Sequence, residues 1–188
     1  MFFYVFFVIL VTQRMVELII ANRNEKWMKE KGAVEYGTSH YRLMVGIHSA
    51  FFLTLLLEAG LFGERLNEYW PWLMAAFVLT QMGRVWVITS LGRFWNTKII
   101  VLRDANVIAK GPYKYIKHPN YLIVTLELII IPLIFNAYWT LFLFAILNQF
   151  ILAIRIPLEE KALMNETDYQ KVNLSKQNFI PLQKKEKS

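Results

Sequence analysis

Residues 119–155, PNYLIVTLELIIIPLIFNAYWTLFLFAILNQFILAIR, contain two apolar stretches that are separated by a single polar residue, Asn136. The stretches, 119–135 and 137–155, reach the roughly 17–25 residues that a helix needs to cross about 30 Å of hydrocarbon. Because the connection is so short, they are predicted to form a tight antiparallel helical hairpin. Pro132 is predicted to kink the first helix near its far end.

Three further apolar segments precede this hairpin, at about 2–20, 43–62 and 70–91. The chain start lacks the positive region of a signal peptide, so the first segment is expected to be retained. Of the 188 residues, 56% are hydrophobic, which is more than a soluble domain usually carries. The sequence therefore predicts an all-α integral membrane protein with five transmembrane helices and a single membrane domain, 1–188.

The basic residues alternate between the two sides of the predicted bundle. Lys plus Arg number five in 22–42, one in 63–69, six in 92–118 and seven from residue 155 onwards. By the positive-inside rule the N-terminus is outside, and the two long loops and the C-terminus are cytoplasmic. This asymmetry explains the formal net charge of +7 without a nucleic-acid partner. The chain has no cysteine, which excludes disulfides and thiolate metal sites, and no metal site is predicted.

Polar side chains inside the predicted spans concentrate in the cytoplasmic half. They are Gln13, Arg14, Glu17, His48, Gln81, Arg84, Asn148 and Gln149. Such groups are costly in hydrocarbon unless they are paired or hydrated, so together they predict a polar cavity open to the cytoplasm. The alternative is that Arg14 pairs with Glu17 and the others bond between helices. Glu58, towards the outside, and Glu127, near the middle, are interpreted as structural or interfacial groups.

The loop 92–118 and the tail carry weaker patterns. Ile99-Ile100-Val101-Leu102 and Val107-Ile108 flank four polar or small residues, which predicts a short hairpin or extended pair near the membrane surface. A helix is predicted over 158–175, followed by an apolar patch at 179–182.

Residues 111–121, GPYKYIKHPNY, lead directly into the fourth predicted span. Pro119 suits a first helical turn, because its missing N–H would be unbonded there anyway. The free N–H groups of that turn, beside His118 and two lysines, form an electropositive pocket that suits an anionic ligand. Alternatively, the lysines and tyrosines anchor the segment at the level of the lipid headgroups.

Where the last span ends, the chain reads Arg155-Ile-Pro-Leu-Glu159-Glu160. In a continuous helix Arg155 and Glu159 would share a face. Pro157 removes a backbone hydrogen bond, however, so the other possibility is a new helix whose N-terminal turn would hold the two carboxylates. A surface ion pair at a charged helix start is the alternative.

Taken together, these two segments resemble the C-terminal signature of the isoprenylcysteine carboxyl methyltransferase family. That signature is GPYxxxRHPxY, followed after a helical hairpin by RxxxEExxL. Here it reads GPYKYIKHPNY and then Arg155, Glu159, Glu160 and Leu163, and Tyr169 and Phe179-Ile180-Pro181 are similar to the family's tail. The resemblance covers residues 92–182, which would form the catalytic and cofactor-binding region. Lys117 replaces the usual arginine, and Ile123 replaces a common small residue.

The resemblance implies S-adenosylmethionine-dependent methyl transfer to a lipophilic acceptor that enters from the bilayer. The residues implied to hold the cofactor are Ala105, Asn106, Val107, Ile108, Tyr113, His118, Pro119, Asn120, Tyr121 and Glu159. Arg155 would bind the acceptor, and Arg155 and Glu159 would be the catalytic residues. Membrane lipids are the expected surroundings.

The acceptor is expected to be methylated on oxygen, either a lipid-like hydroxyl such as that of an alkylpyrone or a prenylated-cysteine carboxylate. Members this short are of bacterial type, so the expected location is the plasma membrane of a bacterium. N-methylation of a phospholipid amine is an alternative, against which Arg155 argues because a cation beside an amine is unhelpful. A non-catalytic membrane scaffold or small transporter is the alternative from another class.

Overall fold

The computed structural model describes residues 1–61 and 66–169, most of which are helical. In chain order the elements are α1 (Phe2–Glu30), β1 (Val34–Tyr36), α2 (Thr38–Leu61), α3 (Trp70–Leu91), β2 (Ile99–Val101), α4 (Pro119–Ile134) and α5 (Tyr138–Glu166). Short 3-10 turns lie at Gly92–Phe94 and Gly111–Lys114.

Helices α1, α2, α3 and α5 are long and apolar enough to cross a membrane. Helix α4 has 16 residues. At a rise of 1.5 Å per residue it is about 24 Å long, which is shorter than the roughly 30 Å of a bilayer's hydrocarbon core. The predicted helical membrane architecture is thus confirmed with four candidate spans, while the fifth span and the orientation stay predictions.

The turn between α4 and α5 is tight, as we predicted from the single polar residue between the two apolar stretches. Asn136 adopts a positive φ of 54°, a left-handed conformation that asparagine tolerates better than most residues. The Asn67 side chain donates a hydrogen bond of 2.8 Å to Asn136 Oδ1, and the Asn67 backbone N–H donates one of 3.0 Å to Ile134 O. The segment before α3 therefore holds this turn in place.

Glu58 caps the start of α5. Its carboxylate accepts hydrogen bonds from the backbone N–H groups of Trp139, at 3.0 Å, and Thr140, at 2.7 Å, and from the Thr140 hydroxyl. A helix N-terminus leaves N–H groups unbonded and favours a negative charge, so Glu58 satisfies both needs at once. The structural role that we expected for Glu58 is confirmed.

An aromatic core fills the end of the bundle near the α4–α5 turn. Phe3 on α1 meets Phe135 edge to face, with ring centroids 4.9 Å apart, and Phe6 meets Phe77 on α3 at 5.1 Å. These rings are buried, and tilted or edge-to-face contacts at such distances are favourable for aromatic pairs. The opposite end of the bundle is left free to hold polar groups.

The predicted pairing within the loop 92–118 is wrong. Strand β2 pairs in antiparallel fashion with β1, with Val34 opposite Val101 and Tyr36 opposite Ile99, and residues 107–108 lie outside the sheet. Burial favours this pairing, because Ile99 and Val101 pack against Ala162 on α5 in a cluster that also includes Tyr36 of β1.

Of the two alternatives at Pro157, the structure has the continuous helix, because α5 runs unbroken through Pro157 to Glu166. An interior proline costs a helix about 3 kcal/mol or more, through a lost hydrogen bond and a steric clash. Packing of Leu158, Ala162 and Leu163 against the two strands offsets this cost. The predicted tail helix is thus the end of α5, and residues 170–175 and 179–182 lie outside the described ranges.

Candidate active site

A cavity of about 380 Å³ lies at the end of the bundle away from the aromatic core. All five helices and the loop between α3 and α4 contribute to its lining. Every residue of the predicted site except Pro119 lines it, namely Ala105, Asn106, Val107, Ile108, Tyr113, His118, Asn120, Tyr121, Arg155 and Glu159. Pro119 is buried as the first residue of α4, where it serves the helix start rather than the cavity wall.

The segment 105–108 is held against the cavity by the end of α5. The Asp104 backbone N–H donates to Glu166 O at 2.9 Å, and the Val107 N–H donates to Asp168 Oδ1 at 2.9 Å. Arg103 adds an ion pair with the Glu166 carboxylate at 3.0 Å. The position of this loop is therefore set by its contacts with Glu166, the last residue of α5, and with Asp168 just beyond it.

Gly111 and Pro112 place Tyr113 in the wall. Gly111 has a φ of +57°, and a Cβ at this position would lie 2.1 Å from Ser90 Oγ on α3, so only glycine fits so close to that helix. The turn that follows buries Pro112 and turns Tyr113 towards the cavity. Burial raises the pKa of the Tyr113 phenol well above its usual value, and the Glu159 carboxylate raises it further. Tyr113 is therefore a neutral hydroxyl at neutral pH.

Two carboxylates of α5, Glu159 and Glu160, contact the first turn of α4. His118 Nε2 lies 3.1 Å from Glu160 Oε1, and His118 Nδ1 lies 3.7 Å from Glu159 Oε2. The Tyr121 hydroxyl donates a hydrogen bond to Glu159 Oε2, and its ring stacks on that of His118 with centroids 5.5 Å apart. The two segments of the family-like signature thus meet at one place.

Arg155 and three other side chains present unpaired polar atoms at the cavity. Arg155 is buried, and its Nη2 donates to Thr97 O at 2.9 Å. Across residues 1–61 and 66–169, the buried polar atoms without a partner that belong to lining residues are Trp95 Nε1, Asn120 Oδ1, Arg155 Nε and Tyr169 OH. Buried polar groups are almost always hydrogen-bonded, so these four atoms fit a polar ligand. They offer both donors and acceptors, as a nucleoside requires.

Tyr169 closes the cavity beyond the end of α5. Burial raises the pKa of Tyr169 to about 12, with smaller contributions from the carboxylates of Glu160 and Glu159. The tyrosine is therefore a neutral donor and acceptor at neutral pH. It was recognised from the sequence only through its similarity to the family's tail.

Four charged side chains form a closed network at the inner end of the cavity: Arg14 and Glu17 on α1, Arg84 on α3 and Glu127 on α4. Glu127 accepts hydrogen bonds from both guanidinium groups, and Glu17 accepts them from Arg14 at 2.6 Å and Arg84 at 3.1 Å. We refer to these four residues as the charge quartet. Its two positive and two negative charges balance, which lowers the cost of burial. The predicted Arg14–Glu17 pair is confirmed, and Glu127 has a structural role.

The intramembrane polar residues divide into three groups. Arg14, Glu17, His48, Arg84 and Asn148 line the cavity, as predicted. Gln13 and Gln81 lie behind it, where Gln81 Nε2 donates to Glu127 Oε1 at 2.8 Å and Gln13 bonds to both Glu17 and Gln81. Gln149 is exposed on the outside of the bundle, so including it in the cavity was wrong.

Trp95, Thr97 and Tyr41 are lining residues that the sequence analysis missed. Trp95 is almost fully buried, and the Tyr41 hydroxyl lies 3.3 Å from the Thr97 hydroxyl. A tryptophan in a polar loop directly after a span was a signal of burial, but nothing in the sequence placed it in the wall of the cavity.

The two departures from the family pattern have different consequences. Ile123 does not line the cavity; it is buried against α3, and its Cδ1 lies 2.9 Å from where a Cβ on Gly83 would be. A small residue on α3 thus accommodates the larger one on α4. Lys117 does line the cavity, with its Nζ 3.8 Å from Glu160 Oε1.

Comparisons with known proteins agree with this geometry. A protein of Bacillus subtilis (strain 168), the uncharacterized protein YpbQ, is 42% identical over 161 residues, which cover 86% of this chain and 96% of that protein. An uncharacterized protein of Haemophilus influenzae is 29% identical over 164 residues, which cover 87% of this chain and 95% of that protein. No solved structure matches. Residues 72–165 match the isoprenylcysteine carboxyl methyltransferase (ICMT) family, to which this chain therefore belongs.

Proposed function

We propose that this protein is an S-adenosylmethionine-dependent methyltransferase that acts on a lipophilic acceptor at the cytoplasmic side of a bacterial plasma membrane. Family membership implies a membrane methyltransferase. The observation that carries the finer proposal is the set of unpaired polar atoms in a cavity that α4 and α5 close with two carboxylates. A scaffold would have no need of such a cavity.

The cavity is suited to the two unlike ligands of such a reaction. Its polar end, from segment 105–108 to Glu159, is proposed to hold the water-soluble donor. Met15 on α1 and Val45 and Ser49 on α2 also line the cavity, and they are exposed on the outer surface of the bundle. The gap between α1 and α2 is therefore proposed as the entrance through which the acceptor and its apolar chain arrive from lipid.

S-adenosylmethionine, when bound, supplies a methyl group on a positively charged sulfur. Glu159 and the aromatic rings of Tyr113 and Tyr121 favour that positive charge and hold it in the cavity wall. Arg155 donates a hydrogen bond from Nη2 to Thr97 O, while its Nε–H has no partner in the protein. This Nε–H is proposed to orient the oxygen atom of the acceptor. Alignment of donor and acceptor and exclusion of water then supply much of the acceleration.

An oxygen acceptor fits this site better than an amine. The buried guanidinium of Arg155 stabilises a hydroxylate or carboxylate and repels an ammonium group. This favours O-methylation over the phospholipid amine alternative.

The proposed placement in the membrane has five spans, with the N-terminus outside. Trp72 and Trp139 are exposed at the start of α3 and α5, at 77% and 83% of their surfaces, and tryptophan is enriched at membrane interfaces. These two tryptophans support a membrane–water interface at the end of the bundle where α3 and α5 begin. The cavity end, with its basic loop, would then face the cytoplasm.

The test of the proposed function is cofactor binding followed by product analysis. Detergent-purified protein is titrated with S-adenosylhomocysteine, and its melting temperature is expected to rise by mass action. Membranes are then incubated with labelled methyl donor and a lipid extract, and mass analysis identifies what gains a methyl group. No stabilisation at saturating ligand, with folded protein confirmed, would favour a scaffold or transporter.

A further inference from the structure

The cavity extends well beyond the level of Arg155. Tyr41 on α2 marks that level, because its hydroxyl meets Thr97, whose carbonyl accepts the hydrogen bond from Arg155. His48 also lines the cavity and lies seven residues further along α2, which corresponds to about 10 Å along the helix axis. A polar region therefore remains at a distance from the proposed site of methyl transfer.

The tautomer of His48 is fixed by the backbone. His48 Nδ1 lies 2.9 Å from Met44 O, one turn earlier in α2. A carbonyl oxygen can only accept a hydrogen bond, so Nδ1 carries the hydrogen, and in the neutral ring Nε2 is an acceptor. The half-buried ring thus brings a lone pair to the inner part of the cavity.

Arg14 supplies donors in the same region. Its Nη1 donates to Glu17 and its Nη2 to Glu127, which leaves further N–H groups of the five on a guanidinium. The Arg14 side chain is 23% exposed and lines the same cavity as His48. Both carboxylates of the charge quartet are already hydrogen-bonded, so the quartet presents Arg14 donors to a ligand rather than free carboxylate oxygens.

We infer that His48 and Arg14 form a second acceptor-binding subsite that takes a hydroxyl group about two helical turns further along α2 than Tyr41. The hydroxyl donates to His48 Nε2 and accepts from Arg14, a pair of contacts that neither a bare hydrocarbon chain nor a carboxylate can make. The charge quartet is already neutral, so an anion there would be uncompensated. This inference rests on the proposed function and names the acceptor class: an amphiphile with a hydroxyl in addition to the group that is methylated.

The first test is the chemistry of the product. Purified protein is incubated with labelled S-adenosylmethionine and a lipid extract, and the methylated lipid is then treated with acetic anhydride. The product is expected to gain an acetyl group, because its second hydroxyl is still free. A methylated product without any free hydroxyl would overturn the inference while leaving the methyltransferase proposal intact. No methylated lipid at all, with no stabilisation by S-adenosylhomocysteine, would remove both.

The second test is selectivity in a variant. His48→Leu is expected to reduce the preference for hydroxylated over non-hydroxylated acceptors in the mixed extract roughly 10-fold, as the loss of one or two hydrogen bonds would. His48→Gln, which keeps a hydrogen-bonding group, is expected to retain part of the preference. Thr54→Val, a change on α2 at a residue that does not line the cavity, is the matched control, and the S-adenosylhomocysteine melting shift verifies that each variant is folded. An equal fall in methylation of both acceptor classes in His48→Leu would contradict the inference.

Discussion

Glu159 is the residue at which the two parts of the site meet. It accepts a hydrogen bond from Tyr121, lies 3.7 Å from His118, and shares a face of α5 with Arg155, one turn earlier. Because α5 is continuous, the two side chains differ by about 6 Å along the helix axis. This separation suits one residue for the donor and the other for the acceptor.

Replacing Glu159 and Arg155 separately with alanine should distinguish an effect on cofactor binding from an effect on turnover. Glu159→Ala is expected to weaken S-adenosylmethionine binding by about 10- to 100-fold, because the carboxylate is proposed to favour the positive charge on the donor's sulfur and interactions of charged groups contribute about 1.5–3 kcal/mol. Arg155→Ala should leave that affinity nearly unchanged and lower turnover instead. Calorimetric titration and a labelled-methyl assay measure the two effects. Lys161→Ala is the control, because Lys161 is an exposed residue of α5 that does not line the cavity. Equal losses from all three changes would remove the role assignments.

Gly111 offers a test of local geometry. Gly111→Ala forces a Cβ to within 2.1 Å of Ser90 Oγ at a positive φ, so a large drop in melting temperature is expected. Gly92→Ala is the matched control: its φ is +56°, but nothing lies within 4 Å of the added Cβ. The difference between the two melting temperatures isolates the contact with α3 from the backbone strain. Equal drops would mean that Ser90 moves away freely.

Among the elements, those fixed by local signals were predictable and those fixed by distant contacts were not. Asn136 between two apolar runs predicted the α4–α5 hairpin, and Pro119 predicted the start of α4. The pairing of β2 depended on β1, which lies more than 60 residues earlier, and no local pattern indicated it. Helix α5 continued through Pro157 because the strands pack against it, which again is a tertiary effect. Trp95 was not predicted as a lining residue because its place in the cavity wall also depends on tertiary contacts.

The cap on α5 provides a prediction about one element. Glu58→Ala removes the carboxylate that accepts the Trp139 and Thr140 N–H groups, so the free energy of unfolding is expected to fall by about 1 kcal/mol. The exposed Glu68 provides the control, since Glu68→Ala removes the same charge without a cap. Thermal unfolding in detergent measures both. A similar loss in the two variants would show that charge, not capping, matters.

In the molecule as a whole, the charge quartet joins three helices. Glu127→Gln leaves the buried guanidinium of Arg84 and the partly buried one of Arg14 with one carboxylate, and breaking a buried pair in this way costs about 3–5 kcal/mol. The expected result is a severe loss of folded protein. Adding Arg14→Gln restores neutrality and should recover part of the stability. A non-additive double-mutant cycle by thermal unfolding checks this, whereas simple addition of the two losses would contradict it.

The orientation of the molecule can be tested directly because the chain has no cysteine. Glu68→Cys and Lys114→Cys each introduce one exposed thiol, near opposite ends of the bundle. A membrane-impermeant thiol reagent added to intact cells is expected to label the first variant. The second should react only after the cells are permeabilised. The reverse pattern would invert the proposed topology.

The unbroken course of α5 has a consequence for engineering this protein. One rigid rod carries Asn148, Arg155 and Glu159, and its end anchors segment 105–108, so these parts shift together or not at all. Met15 on α1 and Val45 and Ser49 on α2 line the cavity and border the proposed opening to lipid. Libraries designed to change the proposed acceptor should therefore vary those two helices and keep α5 constant.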